Sequence, residues 1–393
     1  MTSRDRMLAA LRNGTPDRVP TFLCYHGMYV NRHATFEYLL EYRRRMGDAA
    51  EYPIDPAEDL EIRRHAIGLV LDLFIGRVDQ QFVFPTVREF EATVMTPQLI
   101  ATAIQYLDTD QYCIIGDGAQ VRLEEAAGTG VEAHSRGLET IADVDGYFAP
   151  WPSSPAPAPP DTDPYADLRA RHAAAVEDSY RCGGVNSPFC MAVGAFGYEG
   201  AMLAMHDRPG VFGYFIERAL ERYLEVVRTA DVDGFWFDEY YTDVIAPGHY
   251  QEYVHTPNVR LAQALRESGK ASTYYFCGDI MPKLEGVCSL QVDAIACEES
   301  KKWFLLDLAE VVAVVRGRKA LCGNLDGLQL LPRGTPQQIA AEVRRQLDVA
   351  TRDGGFVMGA GSPIAPDTPL ANMRAFLDAT REYGVYPVEP ATT

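Results

Sequence analysis

Short apolar runs alternate with amphipathic helical patterns along most of the chain. Runs rich in β-branched, aromatic and cysteine residues predict strands at 19–25, 233–237, 273–277, 293–297, 320–322 and 356–358. Apolar positions at helical spacing predict helices over 3–12, 34–70, 248–268, 280–290, 307–316, 336–351 and 368–383, with another that begins at Pro209. This alternation predicts an α/β fold, specifically a closed (β/α)8 TIM barrel with an N-terminal helical segment.

Two stretches interrupt the strand and helix rhythm. Within 72–148 the pattern changes towards alternation, which predicts a β-rich insertion of strands and hairpins that decorates the barrel. Residues 149–164 contain seven prolines and predict an extended surface loop. Because the barrel needs elements on both sides of this loop, we expect one domain that spans 1–393.

Composition restricts the partners and the compartment. Lys and Arg number 36 against 55 Asp and Glu, a formal net charge of −19, which argues against nucleic acid or an anionic membrane as a partner. Eight cysteines are scattered through apolar runs, as expected for reduced thiols rather than a disulfide framework. The first residues lack an apolar signal core, and no run approaches 18 apolar residues, so we expect a cytoplasmic protein.

Polar and thiol residues stand where the predicted strands end. Because parallel barrel strands all point the same way, their carboxyl ends should bring these candidates to one mouth. They are His26, Asp238, Glu239, Tyr240, Tyr275, Cys277, Glu298, Cys322, Asn324 and Ser362. His26 could also be satisfied by backbone hydrogen bonds alone.

A cysteine and a carboxylate on adjacent strand ends suit a zinc site. Cys277, Glu298 and Cys322 supply ligand types that zinc accepts, and an open position could bind a substrate thiol as a nucleophilic thiolate, so that methyl transfer to sulfur would follow. Two alternatives stay open. Either cysteine could be a small buried hydrophobic residue, and Glu298 could be an ion-pair partner of Lys301 or Lys302.

Asp238 and Glu239 form a second candidate for chemistry, as a carboxylate pair for acid–base work. Successive side chains on a strand point to opposite faces, so at most one of the two should face the mouth.

Motifs in chain order resemble a known superfamily. They are the RDRMLAAL sequence at 4–11, PDRVP at 16–20, FGYE at 196–199, the Asp233-Gly234 strand that ends at Asp238, CGD at 277–279, GNLD at 323–326, and PDTP at 366–369 with Asn372 and Tyr383-Gly384. This order resembles the uroporphyrinogen decarboxylase superfamily, in particular its zinc-dependent, corrinoid-linked methyltransferases of the methylcobalamin:coenzyme M type. The resemblance implies a (β/α)8 barrel that forms a homodimer.

The resemblance also implies a ligand set that this sequence changes. The methyltransferase branch places zinc on a His-x-Cys pair and on a Cys at the last strand end, where this chain has Tyr275, Cys277 and Ser362. Glu298 is placed like a glutamate of the distantly related cobalamin-independent methionine synthase, whereas Cys322 has no counterpart in the family pattern. The segment 24–28 lacks the arginines of the decarboxylase branch, which argues against porphyrinogen decarboxylation.

These observations lead to a methyltransferase hypothesis. The enzyme would move methyl between a corrinoid, such as methylcobalamin, or a similar donor and a small thiol or related nucleophile. Zinc would bind Cys277 and Glu298, with Tyr275 and Ser362 as outer or weak ligands and a corrinoid protein as a partner. Asp238 and His26 would orient the small-molecule substrate, and Glu239, Tyr240, Ser362 and Asn324 would contact it.

Two alternatives to methyl transfer remain. A metal-free carboxy-lyase would use Asp238, Glu298 and Tyr275 for acid–base work on a small substrate. A catalytically silent barrel would only bind a corrinoid protein or a ligand.

Overall fold

Seven parallel strands form one sheet in the order of the chain. The computed structural model describes residues 1–23, 26–47, 54–74, 77–82, 138–149, 164–242, 245–301, 303–365 and 368–388. Its strands are β1 Gln80–Phe82, β2 Tyr180–Asn186, β3 Gly234–Glu239, β4 Ala271–Phe276, β5 Ala294–Cys297, β6 Ala320–Cys322 and β7 Phe356–Val357. Each strand pairs in parallel with the next, from β1 to β7.

The segment around Thr21 closes this sheet into a barrel. Thr21 forms a parallel bridge with Met358, which directly follows β7. On its other side the Thr21 carbonyl accepts a hydrogen bond from the Asp79 N–H (2.9 Å), immediately before β1. Thr21 therefore takes the eighth strand position between the two edges of the sheet, and the predicted (β/α)8 barrel is confirmed.

Helices surround the barrel. They are α1 Ser3–Leu11, α2 His26–Met46, α3 Pro56–Phe74, α4 Ile141–Phe148, α5 Ala166–Val176, α6 Pro188–Phe196, α7 Tyr198–Asp207, α8 Pro209–Thr229, α9 Pro247–His249, α10 Thr256–Glu267, α11 Leu284–Ser289, α12 Leu308–Val315, α13 Leu330–Arg333, α14 Pro336–Ala350 and α15 Leu370–Tyr383. A π-helical turn, Tyr250–His255, joins α9 to α10, and a 3-10 turn, Met281–Lys283, precedes α11.

Strand side chains alternate between two cores. On β3, Phe235 and Phe237 face the helices, whereas Trp236 packs inside the barrel in a cluster with Phe22 and Tyr275. Helix α1 adds Met7, Ala10 and Leu11 to that inner cluster, and its Arg4 N–H donates to the Asp178 carbonyl just ahead of β2. Helix α1 thus covers the amino end of the barrel, and the mouth lies at the carboxyl ends of the strands.

A buried ion cluster holds the closed seam together at the amino end. The Asp79 side chain is fully buried and accepts hydrogen bonds from Arg6 (2.7 Å) and Arg18 (2.9 and 3.0 Å). Its carboxylate also accepts the Thr21 N–H at 2.9 Å. Asp79 therefore joins the first strand segment, β1 and the two arginines of the N-terminal motifs, so these motif residues serve the fold.

The structure moves His26 from a strand end to a helix, and much of two other predicted segments lies outside the described residues. His26 was expected at a strand end, but it is the first residue of α2, and its side chain lies outside the described residues. In 72–148 the described parts are the end of α3, barrel strand β1 and helix α4, and the rest of this insertion lies outside them. Nearly all of the proline-rich stretch also lies outside the described residues. None of the helices in the described ranges is long and apolar enough to span a membrane.

Candidate active site at the barrel mouth

Asp238 and Glu239 point to opposite sides of β3. Asp238 follows the inward alternation of Trp236, whose indole N–H donates to Asp238 Oδ1 at 2.8 Å. Its side chain is buried inside the barrel near the mouth. The expectation that at most one of these carboxylates faces the mouth is therefore met, and that one is Asp238.

Glu239 is buried between the sheet and the helices. Its Oε2 accepts hydrogen bonds from Asn258 (2.6 Å) and the Tyr274 hydroxyl (3.2 Å), while Oε1 accepts the Ser187 hydroxyl (3.0 Å) and the Cys190 thiol (3.4 Å). Burial raises the pKa of Glu239 to about 7, against the lowering effect of these hydrogen bonds. This position ties β3 and β4 to α6 and α10, and its predicted substrate contact stays a prediction.

Cys277 and Glu298 come together at the ends of β4 and β5, as expected. Phe276 and Cys297 are paired in register, so the next residue of each strand lies at the mouth. Gly278 has φ of 103°, a conformation that side chains rarely adopt, and its N–H donates to Glu298 Oε2 at 2.9 Å. Burial, followed by the charge of Glu298, raises the pKa of the Cys277 thiol well above its usual value, which favours the protonated thiol.

Lys301 places an ammonium group beside these carboxylates. Its Nζ lies 2.5 Å from Glu299 Oε1, 2.6 Å from Ser362 Oγ and 3.7 Å from Glu298 Oε1. The Ser362 hydroxyl in turn donates to Glu298 Oε1 at 3.2 Å. The ion-pair alternative for Glu298 is therefore confirmed for Lys301, and Ser362 joins the lysine to the glutamate.

Tyr275 and Asn324 complete this wall of the mouth. The Tyr275 hydroxyl donates to the Gly361 carbonyl at 2.6 Å, and Asn324 Nδ2 donates to the Glu298 carbonyl at 3.3 Å. At Gly361 a Cβ atom would lie 2.5 Å from both the amide nitrogen and Oε2 of Glu299, so only glycine allows this approach. The predicted residues Tyr275, Cys277, Glu298, Asn324 and Ser362 thus share one site.

Two other predicted site residues, Cys322 and Tyr240, have partners outside this wall of the mouth. Burial raises the pKa of Cys322 to about 12, and the Thr273 side chain is its hydrogen-bond partner. Tyr240 follows β3, where its N–H contacts the Cys190 sulfur at 3.1 Å and burial raises the pKa of its hydroxyl. Cys322 therefore has the surroundings of a buried core thiol.

The donor set does not fit a zinc ion. Among the described residues, no three His, Cys, Asp or Glu side chains converge on one point that could hold a metal. The Lys301 ammonium lies 3.7 Å from Glu298 Oε1 and would repel a divalent cation placed beside this carboxylate. The predicted set of Cys277, Glu298 and Cys322 is therefore not assembled.

Comparison with known proteins identifies the family. The model of the uroporphyrinogen decarboxylase (URO-D) family matches residues 118–383, more than half of the chain. The chain belongs to the uroporphyrinogen decarboxylase family. A solved methyltransferase from Methanosarcina mazei covers 98% of this chain and 99% of its own, with a TM-score of 0.52 and 16% identity, which supports the fold.

Relatives in this family include two kinds of enzyme. A methylated-thiol–coenzyme M methyltransferase from Methanosarcina mazei is 25% identical over 36% of this chain and 35% of its own length. A methylcobamide:CoM methyltransferase from Methanosarcina barkeri is 27% identical over 36% and 38%. A uroporphyrinogen decarboxylase from Anaeromyxobacter sp. is 24% identical over 66% and 73%. The chain thus matches little more than a third of these two methyltransferases.

Sequence reasoning missed part of the site. Glu299 was not predicted as a site residue because alternation along the chain after β5 directs it away from Glu298. Its carboxylate nevertheless contacts Lys301. Of the partners of Glu239, Ser187 precedes α6 and lies 52 residues earlier, and Asn258 lies on α10, 19 residues later. The Ser187-Pro188 pair could have indicated a helix start, since Ser187 caps α6 by accepting the Cys190 N–H.

Proposed function

We propose that this enzyme moves a methyl group from a corrinoid or similar donor to a small thiol or related nucleophile at the barrel mouth. The observation that carries the proposal is the charge of the mouth. Its described side chains include three carboxyl groups, Asp238, Glu298 and Glu299, and one ammonium, Lys301. Such a mouth favours a neutral or cationic substrate and disfavours the carboxylate substrate of a decarboxylase.

Glu298 is the proposed general base. A thiol or hydroxyl nucleophile must lose its proton as it attacks, and Glu298 Oε1 or Oε2 takes that proton. The sulfur–carbon bond forms from the electron pair of the S–H bond, while the donor keeps the electron pair of its broken bond to methyl. A positioned base contributes about 10²- to 10⁴-fold to such a step.

The surrounding groups hold the base in place. Gly278 N–H, the Ser362 hydroxyl and the Lys301 ammonium all contact the Glu298 carboxylate. They fix its orientation and balance its charge before the proton arrives. The neutral Cys277 thiol and the Tyr275 hydroxyl line the same wall, and Asp238 is proposed to orient the substrate.

The relatives support the reaction class, but the residues do not support the metal. Two matched relatives are methyltransferases that act on coenzyme M, and one of them takes methyl from a cobamide, as its name states. This supports a corrinoid donor or a corrinoid protein as the partner. Zinc is left out of the proposed step because the donor set does not fit it.

A metal-free carboxy-lyase is the second candidate. It is favoured by the longer match, 66% of this chain, to a uroporphyrinogen decarboxylase. In this case Asp238, Glu298 and Tyr275 would exchange protons with a small substrate.

One paired assay separates the two reactions. The purified enzyme is incubated with methylcobalamin and a panel of small thiols, and loss of methylcobalamin absorbance is followed; in parallel, CO₂ release from small carboxylates is measured. We expect thiol-dependent loss that Glu298→Gln reduces and that the exposed Glu310→Gln control leaves unchanged. CO₂ release without methylcobalamin loss would overturn methyl transfer in favour of the lyase.

A further inference from the structure

Three tyrosines form an aromatic surface at the mouth. Tyr198 and Tyr241 are each 47% exposed, and their ring centroids lie 5.5 Å apart. The Tyr240 ring meets Tyr241 edge-on at 5.0 Å. We call Tyr198, Tyr240 and Tyr241 the tyrosine shelf. Because Tyr241 lies three residues beyond Asp238, the shelf borders the proposed active site.

The backbone holds the Tyr241 ring outward at a cost. Tyr241 has φ of 64°, a left-handed conformation that is rare for a bulky residue. Strained backbone persists where the surrounding structure enforces it, and such positions cluster at ligand sites. Two large rings exposed in this way indicate a role in binding rather than in packing.

Ring geometry limits the ligand. The Tyr198 and Tyr241 planes are tilted by 56°, and the Tyr240 and Tyr241 planes by 82°. A flat aromatic ligand needs a slot with nearly parallel walls, whereas tilted rings form a corner that suits a rounded group. The faces of the rings carry partial negative charge and attract cations.

The charge of the mouth also favours a cationic ligand. Burial raises the pKa of the Tyr240 hydroxyl, and the charge of Asp238 raises this pKa further, so Asp238 lies close to Tyr240. Glu298 and Glu299 bring two further carboxylates to the same mouth, of which the Lys301 ammonium balances one charge. A positively charged ligand group is therefore favoured by both the rings and the carboxylates.

We propose that the tyrosine shelf binds a methyl-bearing cationic nitrogen or sulfur, an onium group, on a substrate of this enzyme. The inference deepens the proposed methyl transfer and rests on it: the onium group is the methyl donor, its bond to methyl breaks as the thiol sulfur forms the new bond to that carbon, and a neutral amine or sulfide leaves with the electron pair. Tyr198 and Tyr241 are then the residues that select substrates by charge and shape.

Calorimetric titration of the full chain tests the shelf without any methyl transfer. Choline is compared with 3,3-dimethyl-1-butanol, which has the same shape but no charge. We expect choline to bind about 3- to 10-fold more tightly, since each exposed ring face adds a modest cation–π attraction and the shelf presents two such rings. Equal binding of both compounds would overturn the onium assignment.

Variants locate the binding on the shelf. Tyr198→Leu and Tyr241→Gly should each weaken choline binding about 2- to 5-fold, the size of a cation–π contact at an exposed ring. Tyr198→Phe and Tyr241→Phe should keep wild-type affinity, because a phenyl face also attracts cations. Glycine accepts the left-handed backbone, so Tyr241→Gly should fold. Trp303→Leu, which removes a 73% exposed ring from the loop after β5, is the matched control and should change nothing.

The outcomes separate this inference from the proposed function. Choline binding that depends on Tyr198 and Tyr241 supports the shelf even if methylcobalamin is never consumed. Methyl transfer without selective choline binding would leave the proposed function intact and overturn the shelf. Loss of binding in Trp303→Leu as large as in Tyr241→Gly would also overturn it.

Discussion

Lys301 Nζ lies 2.6 Å from Ser362 Oγ, in the middle of the proposed active site. The same ammonium contacts Glu299 and lies 3.7 Å from Glu298. Ser362 is the position that the family resemblance predicts to correspond to a cysteine ligand of zinc. In this chain a side-chain cation therefore balances the carboxylates beside that position.

Removal of the lysine should destabilise the fold. Lys301→Met leaves Glu299, which is 5% exposed, without its ion partner, and we expect a loss of about 3 kcal/mol in the free energy of unfolding. Urea unfolding of Lys301→Met, Glu299→Gln and the double variant measures the coupling. The double variant should recover part of the loss; full additivity would mean that the pair contributes nothing.

Introducing the ligands that the family resemblance implies should create a zinc site that binds more tightly when the lysine is removed. Tyr275→His with Ser362→Cys supplies a His-x-Cys pair and a second cysteine beside Glu298. Because the Lys301 ammonium competes with a divalent cation, we expect the further change Lys301→Met to raise zinc affinity by at least about 10-fold. Competition with a zinc-binding dye measures this. Equal zinc affinity with and without Lys301 would contradict the ammonium's proposed effect.

Glu239 should make stability depend on pH. Its pKa is raised to about 7 in the folded state, so the neutral form favours folding. This contribution is complete below about pH 4.5 and is lost as the pH rises through 7, in total about 3 kcal/mol. Glu239→Gln should remove that slope. Urea unfolding of both proteins between pH 5 and 8 tests this, and parallel stability curves would refute the assignment.

Asp79 should be essential for barrel closure. Asp79→Asn leaves Arg6 and Arg18 with a neutral partner at a fully buried position. We therefore expect the free energy of unfolding to fall by about 3–5 kcal/mol. The exposed Asp378→Asn, which pairs with Arg77 at the surface, is the matched control and should cost at most about 1 kcal/mol. Similar losses of unfolding free energy in both variants would show that burial does not increase the contribution of the ion pair to stability.

The barrel was predictable because its signal is local and repeated. The runs that became β3 to β7 are short, apolar and followed by helical patterns, and Ala320–Cys322 was predicted to the residue. Strand β2, Tyr180–Asn186, was missed because its two glycines resemble a turn more than a strand. Tertiary pairing with β1 and β3 overrides that local preference.

The site was predictable only in part. Strand order alone brought Cys277 and Glu298 together, since both end adjacent parallel strands. The orientation of Lys301 towards Ser362 depends on a turn in which Lys301 and Phe304 form a bridge, and no local pattern encodes it. The burial of Cys322 against Thr273 likewise depends on packing inside the barrel.

The initial rate of thiol-dependent methylcobalamin loss in the presence of a zinc chelator tests whether Glu298 acts as the base without zinc. With Glu298 as the base and no zinc in the step, wild-type enzyme should keep its rate within about 2-fold, and Glu298→Gln should lose about 10²- to 10⁴-fold. A rate abolished by the chelator and restored by zinc, with Glu298→Gln close to wild type, would contradict it.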